Sequence, residues 1–551
     1  MEQCSAAGPF DQWPLARGFD RFYGFLEGET DQFHPALVCD NHPVDPPAKP
    51  EDGYHVSEDL IDQLLKMVSD SKGVRPDRPF FAYLPFGATH APHQAPDNYL
   101  EKYKGAYDEG WDVVRERWFE RQLELGVIPE GTELAPRNPG VDAWDDLPEN
   151  QKRLACRLQE AFAAFLDHTD DQIGRLMDGL RELDQFDNTV FVVLSDNGAS
   201  QEGGPFGVMH EMKFFNGIFE TPDEAIHKID DIGGPHSHTN YPWGWAQCGN
   251  SPFKWYKQNT HEGGVHVPMV VHAPGHIDAG EAGSKRHQFV NVSDIVPTIY
   301  ELVGVIAPDT YRGLGQLPVT GHSFASILDD AAAPATNTLQ YFEMAGSRAL
   351  VAGDQSSLWK AVCKHTQGVD YDDEPWELYH LTDDWSECND LADSEPQSFD
   401  LTARVTRAAG EGGVIFATGT ENSGMSIFVQ DDRLIVDYNA FDDHTVLKSD
   451  LALPDGDSEL VVKLRRRAGM AGEMSIAVDG THAGQIDLPL FMRMMSSVGP
   501  SIAYDHGSPV SPLYEAPYPF EGILHEVEVQ LLSRQDAESR DAEAAAEMSR
   551  Q

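Results

Sequence analysis

The chain has 551 residues, more than one domain ordinarily holds, and its 40% apolar and 10% aromatic content is enough to build real cores. It carries 91 acidic residues against 40 basic ones, a net charge of −51. That balance argues against nucleic acid and anionic membranes as partners. It points to a high-salt cytoplasm, where screening is tight, with an acidic but ordinary mesophilic surface as the alternative.

The six cysteines are scattered singly, with no Cys-x-x-Cys pair. They read as reduced structural thiols rather than a disulfide framework or a zinc site. There is no signal peptide pattern and no apolar run long enough for a membrane span, so the expected location is cytoplasmic.

Met1–Gly18 shows no capping signal, strand or targeting pattern. It runs into Arg17–Phe25, an aromatic, glycine-punctuated segment that needs a core to pack against. Asp40–Pro50 is a proline-rich loop. Ser57 then caps a helix with Glu58 and Asp59 in its first turn, where the helix dipole favours acids. Leu60, Ile61, Leu64, Leu65 and Val68 form its apolar face. Pro79–Pro85 reads as a buried strand, followed by Gly87-Ala88-Thr89-His90-Ala91-Pro92-His93. A histidine just past a strand end can protonate a leaving group near neutral pH; a structural histidine is the plainer alternative. Tyr99–Asp146 reads as an irregular excursion with short helices. Glu149–Leu183 is a long amphipathic helix or helix pair, with Leu154, Leu158, Phe162, Phe165, Leu166, Ile173, Leu176 and Leu180 on one face.

Thr189–Leu194 is a continuous β-branched and apolar run, the pattern of a strand buried on both faces of a parallel sheet. Ser195, Asp196, Asn197 and Gly198 follow at its carboxyl end, where open α/β sheets bind ligands. A carboxylate beside an amide oxygen is a hard donor pair suited to Ca²⁺ or Mg²⁺; a solvated Asn-Gly turn is the alternative. Gln201–Gln258 is too long for a simple connection and reads as functional or as a lid, with Trp243 and Trp245 as packing residues. Lys254 and Lys257 precede Thr260-His261-Glu262-Gly263-Gly264 and the strand Val267–His272. A lysine there is either an anion-binding point charge or a solvated side chain. Asp294-Ile295-Val296-Pro297-Thr298 opens another helix, with proline tolerated in the first turn.

Tyr341–Leu381 reads as short strands (Ala349–Val351, Trp359–Val362, Trp376–Leu381) of a small antiparallel subdomain. From Phe399 onward alternation dominates: Leu401–Val405, Ser426–Val429, Leu434–Tyr438, Leu460–Leu464, Ser475–Asp479 and Ile523–Leu531. Turns separate these at intervals that suit a jelly-roll or lectin-like β-sandwich, read as a packing or dimerising module rather than a carbohydrate binder. Ser533–Gln551 is a charged, alanine-rich, frayed tail.

Taken together, RGFDRFYGFLEGETDQFHP, DNHPVDPP, PFFAYLPFGATHAPH, SDNGAS, YKQNTHEGG and WELYHLTDDWSE resemble the sulfatase family, and closely the bacterial arylsulfatases of the alkaline-phosphatase superfamily. The resemblance runs from Ala6 to about Ala392; the sandwich is a weaker match to modules attached to some of these enzymes. It implies an α/β fold, an alkaline-phosphatase-like sandwich around a mixed, mainly parallel sheet. It also implies hydrolysis of sulfate monoesters through a formylglycine hydrate, made from Cys or Ser in C-x-P-x-R, with Ca²⁺ on the sulfate oxygens. Asp196 and Asn197 match two calcium ligands. His90 matches the histidine that helps protonate the leaving oxygen, and Lys257 the lysine that grips the sulfate and leaving-group oxygen.

Three family features have no match: the first strand with its paired aspartates, C-x-P-x-R (Cys4 is followed by Ser-Ala-Ala), and a Gly-Lys-Trp-His segment. His266 stands where relatives commonly have Arg. The expected organisation is therefore an N-terminally truncated sulfatase-type α/β domain over 1–330, a small antiparallel subdomain over 331–395, a β-sandwich over 396–532 and a tail over 533–551. Two ligands do not fill a calcium shell, and the chain alone is expected to lack turnover. The expected ligand is a small-molecule or carbohydrate sulfate ester; the Trp- and Phe-rich insert suggests an apolar or aromatic alcohol. The expected macromolecular partner is a complementing N-terminal polypeptide or a second copy. Three other readings stay open: a non-catalytic protein that binds sulfated ligands, one half of a split sulfatase, and a phosphatase or phosphonate hydrolase of the same superfamily.

Overall fold

The computed structural model describes residues 5–218, 220–277, 279–311, 313–371, 374–392, 398–467, 471–492 and 500–532. Cys4 and the tail Ser533–Gln551 lie outside them. The chain divides into two compact units, Met1–Asp390 and Leu391–Gln551.

In the first unit, β1 (Tyr23–Gly24), β2 (Leu37–Cys39) and β3 (His42–Val44) form a small antiparallel sheet. Helix α1 (Val56–Val74) begins before Ser57, because His55 is the cap: its Nδ1 accepts the Ser57 N–H at 3.3 Å. Its apolar face is the expected one, with Leu60, Ile61 and Val68 buried. Helices α2 (Asp97–Lys102) and α3 (Gly110–Glu124) occupy the expected excursion, α3 being longer than the short helices foreseen. Helix α4 (Glu149–Glu182) is one continuous helix of 34 residues, about 50 Å long. Leu154, Leu158 and Phe165 on α4 build the main core with Trp111, Trp144 and Trp245.

Among the described residues the strands of the first unit pair antiparallel, not in the expected mainly parallel sheet. Strand β4 (Phe191–Leu194) pairs antiparallel, Phe191 opposite His272 and Leu194 opposite Met269. It is not buried on both faces either, since Val193 and Leu194 are 38% and 39% exposed. Pro79–Pro85 is extended but joins no ladder among the described residues, and Phe81 and Tyr83 are 67% and 71% exposed. An apolar β-branched run states that a residue suits a pleated surface; it does not state the direction or number of its neighbours. Phe80, Leu84, Phe86 and Phe191 nevertheless share one apolar cluster against α1 and α4, so the segment and β4 lie over the same helical layer.

Between β4 and its partner the chain forms α5 (Met212–Phe215), α6 (Pro222–Ala225), α7 (Trp243–Gly249) and α8 (Glu262–Val265), then the partner strand β5 (Met269–His272). An Asn291/Asp294 capping box precedes α9 (Ile295–Leu302). The hairpin β6 (Thr310–Tyr311) and β7 (Leu314–Gly315) and helix α10 (Ala325–Asp329) follow. The expected small antiparallel sheet is four-stranded, ordered β11-β10-β9-β8, from β8 (Leu339–Met344), β9 (Ser347–Asp354), β10 (Ser357–Cys363) and β11 (Glu377–His380). The described cysteines are all free thiols. Among the described residues no helix is long and apolar enough to cross a membrane.

The second unit holds two five-stranded antiparallel sheets. One is ordered β19-β18-β17-β12-β21, from β12 (Ser398–Arg407), β17 (Gly456–Arg466), β18 (Gly472–Val478), β19 (Thr481–Leu488) and β21 (Ile523–Leu532). The other is ordered β16-β15-β14-β13-β20, from β13 (Gly413–Thr420), β14 (Ser423–Gln430), β15 (Arg433–Ala440), β16 (Asp443–Lys448) and β20 (Ser501–Ile502). Leu401, Val405, Ile427, Val436, Leu460, Val462 and Ile476 from both sheets share one core.

Candidate active site

Three loops of the first unit meet at the carboxyl end of β4. The loop after β4 is pressed onto the Gly263-Gly264 turn. The Gly198 N–H donates to Gly264 O at 3.1 Å, and a Cβ at Gly198 would stand 1.8 Å from Gly263 O. Only glycine allows two backbones this close. Asn250 braces the junction: its Oδ1 accepts the Ala199 N–H at 2.9 Å, and its Nδ2 donates to Trp255 O at 3.0 Å and Gly263 O at 2.8 Å. On this loop Asn197 Nδ2 donates to Asp196 Oδ1 at 3.2 Å. Asp196 is exposed and makes no ion pair among the described residues.

The second loop carries Lys257. Its N–H donates to Ala199 O at 3.0 Å, which ties it directly to the Asp196–Asn197 loop. Trp255 and Gln258 on either side hold φ of 61° and 71°, a left-handed conformation a bulky side chain keeps only when held. The holding bonds are Trp255 N–H to Asn138 Oδ1 at 3.0 Å and Gln258 Nε2 to Glu202 Oε1 at 2.9 Å. Lys257 Nζ reaches Glu202 Oε2 at 3.1 Å and His90 Nε2 at 3.2 Å.

The third loop delivers His90, whose Nδ1 lies 2.8 Å from Ala91 O. A carbonyl only accepts, so Nδ1 carries the proton and Nε2 faces Lys257 as an acceptor. The wall around this pair is acidic. Glu202 is 3% exposed, and Glu29 Oε2 lies 3.5 Å from His90 Nδ1. Glu211, 2% exposed, is pushed up to about 8 by burial and by the charges of Glu29 and Glu202, against the pull of Lys257.

The structure thus brings His90 and Lys257 together and binds the Lys257 loop to that of Asp196 and Asn197. It does not bring Lys254 there: its Nζ is held by Tyr379 Oη at 2.6 Å and Glu377 at 3.2 Å. His93 is also elsewhere, buried against Phe162 and Tyr241 and lowered to about 3 by burial and by His90. His266 bonds Glu262 at 2.6 Å. Trp245 is core, its Nε1 donating to Ala155 O at 2.9 Å, and Trp243 Nε1 donates to Gln201 O at 2.7 Å. Sequence reading missed Glu29, Glu202, Glu211, Asn250 and Gln258. Of these only Glu202, beside Gly203-Gly204 after the strand-end loop, sits in a recognisable pattern.

A family model described as sulfatase matches residues 3–305. The chain belongs to the sulfatase family. A second model, described as N-sulphoglucosamine sulphohydrolase, C-terminal, matches residues 252–409. Among curated relatives, an uncharacterized sulfatase of Schizosaccharomyces pombe is 31% identical over 70% of this chain and 69% of its own. The arylsulfatase of Klebsiella aerogenes is 28% identical over 57% of this chain and 66% of its own. The chain therefore spans about two thirds of the length of these two relatives. The crystal structure of Ps i-CgsB matches at 20% identity over 70% of this chain and 64% of that one, with a TM-score of 0.42.

Sulfatase family membership raises the question of a metal at Asp196 and Asn197. The donor types fit: Asp196 is an exposed carboxylate without a cationic partner among the described residues, and Asn197 carries an amide oxygen, both hard ligands, although it is the Asn197 amide nitrogen that faces Asp196 here. Two oxygens are a minor part of the six to eight a calcium ion takes.

Proposed function

We propose that the first unit is an arylsulfatase-type sulfuric ester hydrolase domain of alkaline-phosphatase-like architecture, whose site takes sulfate monoesters and yields the alcohol and sulfate. The observation that carries this reading is the Lys257–His90 pair, 3.2 Å apart and braced by the buried Glu202. Lys257 offers ammonium donors to the sulfate oxygens, the charge-assisted bond an anion needs. His90, once protonated at Nε2, gives that proton to the departing oxygen, which leaves as the neutral alcohol. Glu202 holds the lysine in place by accepting from Nζ.

Asp196 and Asn197 would hold Ca²⁺, which supplies Lewis-acid stabilisation of charge on the sulfate. Formylglycine does not fit: the sequence has no C-x-P-x-R, and no step is assigned to that group. The 551 residues by themselves then bind the ester without cleaving it. The alcohol is less defined, because Trp243 and Trp245 of the aromatic insert are engaged in packing and backbone bonds.

The test is turnover. The purified chain, incubated with an aryl sulfate and calcium, is expected to release no phenol. Phenol release that disappears in His90→Ala would overturn the claim that these residues bind without cleaving.

A further inference from the structure

Beside the sulfate-ester groups, and sharing His90 with them, lies a second constellation whose two carboxylates, Glu29 and Glu211, this chemistry does not use. A ring nitrogen of His90, a carboxylate oxygen of Glu29 and one of Glu211 all lie within 4.8 Å of one another. Glu29 and His90 are half-buried, while Glu211 is 2% exposed. The Glu211 carboxyl receives no hydrogen bond or ion pair among the described residues, and its Oε2 is buried without a partner. A buried carboxyl left without donors is costly, and folds ordinarily supply one. Here its neighbours are two further carboxylates, Glu29 and Glu202, with Lys257 as the cation. A dication between these groups supplies the missing partner and reverses the repulsion in one step.

We propose that Glu29, His90 and Glu211 form a binding site for a divalent transition-metal ion of the zinc or manganese class. The imidazole decides the class. Calcium takes oxygen donors, whereas one nitrogen and two carboxylates suit zinc or manganese. Three protein ligands leave the fourth position of a tetrahedral ion open to water or an anion. The site is distinct from the all-oxygen pair Asp196 and Asn197.

Occupancy has a consequence for His90. Nδ1, if it is the ligand, gives up its bond to Ala91 O; Nε2, if it is the ligand, gives up its contact with Lys257. Where Nε2 is the ligand it cannot also carry the proton that the departing oxygen takes, so the ion and a productively bound sulfate ester then exclude one another. This second statement rests on the proposed function; the metal site itself does not.

The experiment is zinc titration calorimetry on the full chain in calcium-containing buffer. One zinc per chain is expected in the wild type, weakened at least tenfold in Glu211→Gln and in Glu29→Gln, and unchanged in Asp196→Asn. Both glutamate variants binding zinc as the wild type does would overturn the proposal, as would loss of zinc in Asp196→Asn. Glu29 is partly exposed, so Glu29→Gln keeps the test decisive if the buried Glu211→Gln fails to fold. The sulfate-ester reading is tested separately by ester binding without zinc, so either can fail while the other stands.

Discussion

Lys257 donates to His90 Nε2 across 3.2 Å, and it can do so because Ala91 O fixes the imidazole proton on Nδ1. One backbone carbonyl thereby chooses the face the histidine turns to the lysine. Long-range proton–nitrogen NMR of the chain is expected to show His90 protonated at Nδ1 in its neutral form. A neutral His90 protonated at Nε2 would contradict this geometry.

Gly198 is where the Asp196–Asn197 loop is fitted to the Gly263-Gly264 turn. A methyl group there meets Gly263 O at 1.8 Å, and that oxygen is backbone. Gly198→Ala is expected to cost about 1–3 kcal/mol in urea denaturation. Gly28→Ala, where nothing lies within 4 Å, is the control and is expected to change little. Equal midpoints for the two variants would show that the contact is not tight.

Lys360, fully buried, bonds Glu262 at 2.6 Å and Glu387 at 2.9 Å, and so secures the helix that carries the Gly263-Gly264 turn. Burial pushes the Glu262 carboxyl up, but Lys360 and His266 outweigh it and hold it well below the usual carboxylate range. A carboxyl lowered in the fold contributes stability that is present above the ordinary glutamate range and is lost as pH falls below it. Lys360→Met is expected to cost about 3–5 kcal/mol at neutral pH by removing the buried cation that Glu262 and Glu387 share, with only His266 left beside Glu262. The variant should show a smaller acid limb from Glu262, which keeps only His266, and its deficit should shrink as pH is lowered. Unfolding free energies of both proteins from neutral to acid pH check this; a deficit independent of pH would contradict it.

Calcium binding through Asp196 and Asn197 alone is expected to be weak, about millimolar, because most of the shell is water. Asp196→Asn removes the one charged ligand and is expected to abolish what binding there is. Calcium calorimetry on both proteins reads this directly, and an unchanged isotherm would remove Asp196 from the site.

The helices were legible because periodicity and length carry them: α1 and α4 lie where Leu60–Val68 and Leu154–Leu180 place them. The pairing of β4 was not legible. Thr189–Leu194 is equally apolar whichever way its partner runs, and Pro79–Pro85 shows that a strand-like run joins a ladder only when a neighbour is present. Strand β16 escaped because its hairpin turns on Phe441-Asp442, at φ of 58° and 71°, where sequence rules look for Asn-Gly. His90, Lys257, Asp196 and Asn197 were singled out through motif resemblance, since each taken alone has a plainer structural alternative. The acidic wall was not, because Glu29, Glu202 and Glu211 come from three loops without periodicity, and only folding sets them around His90.

The most direct measurement is calorimetric affinity for nitrophenyl sulfate against nitrophenol, in the wild type and in Lys257→Ala. The ester is expected to bind more tightly than the phenol. Lys257→Ala should weaken the ester roughly ten- to hundredfold, the worth of one charge-assisted bond, and leave the phenol unchanged. An ester bound no better than its phenol, or unaffected by Lys257→Ala, would contradict the assignment of this site to sulfate esters.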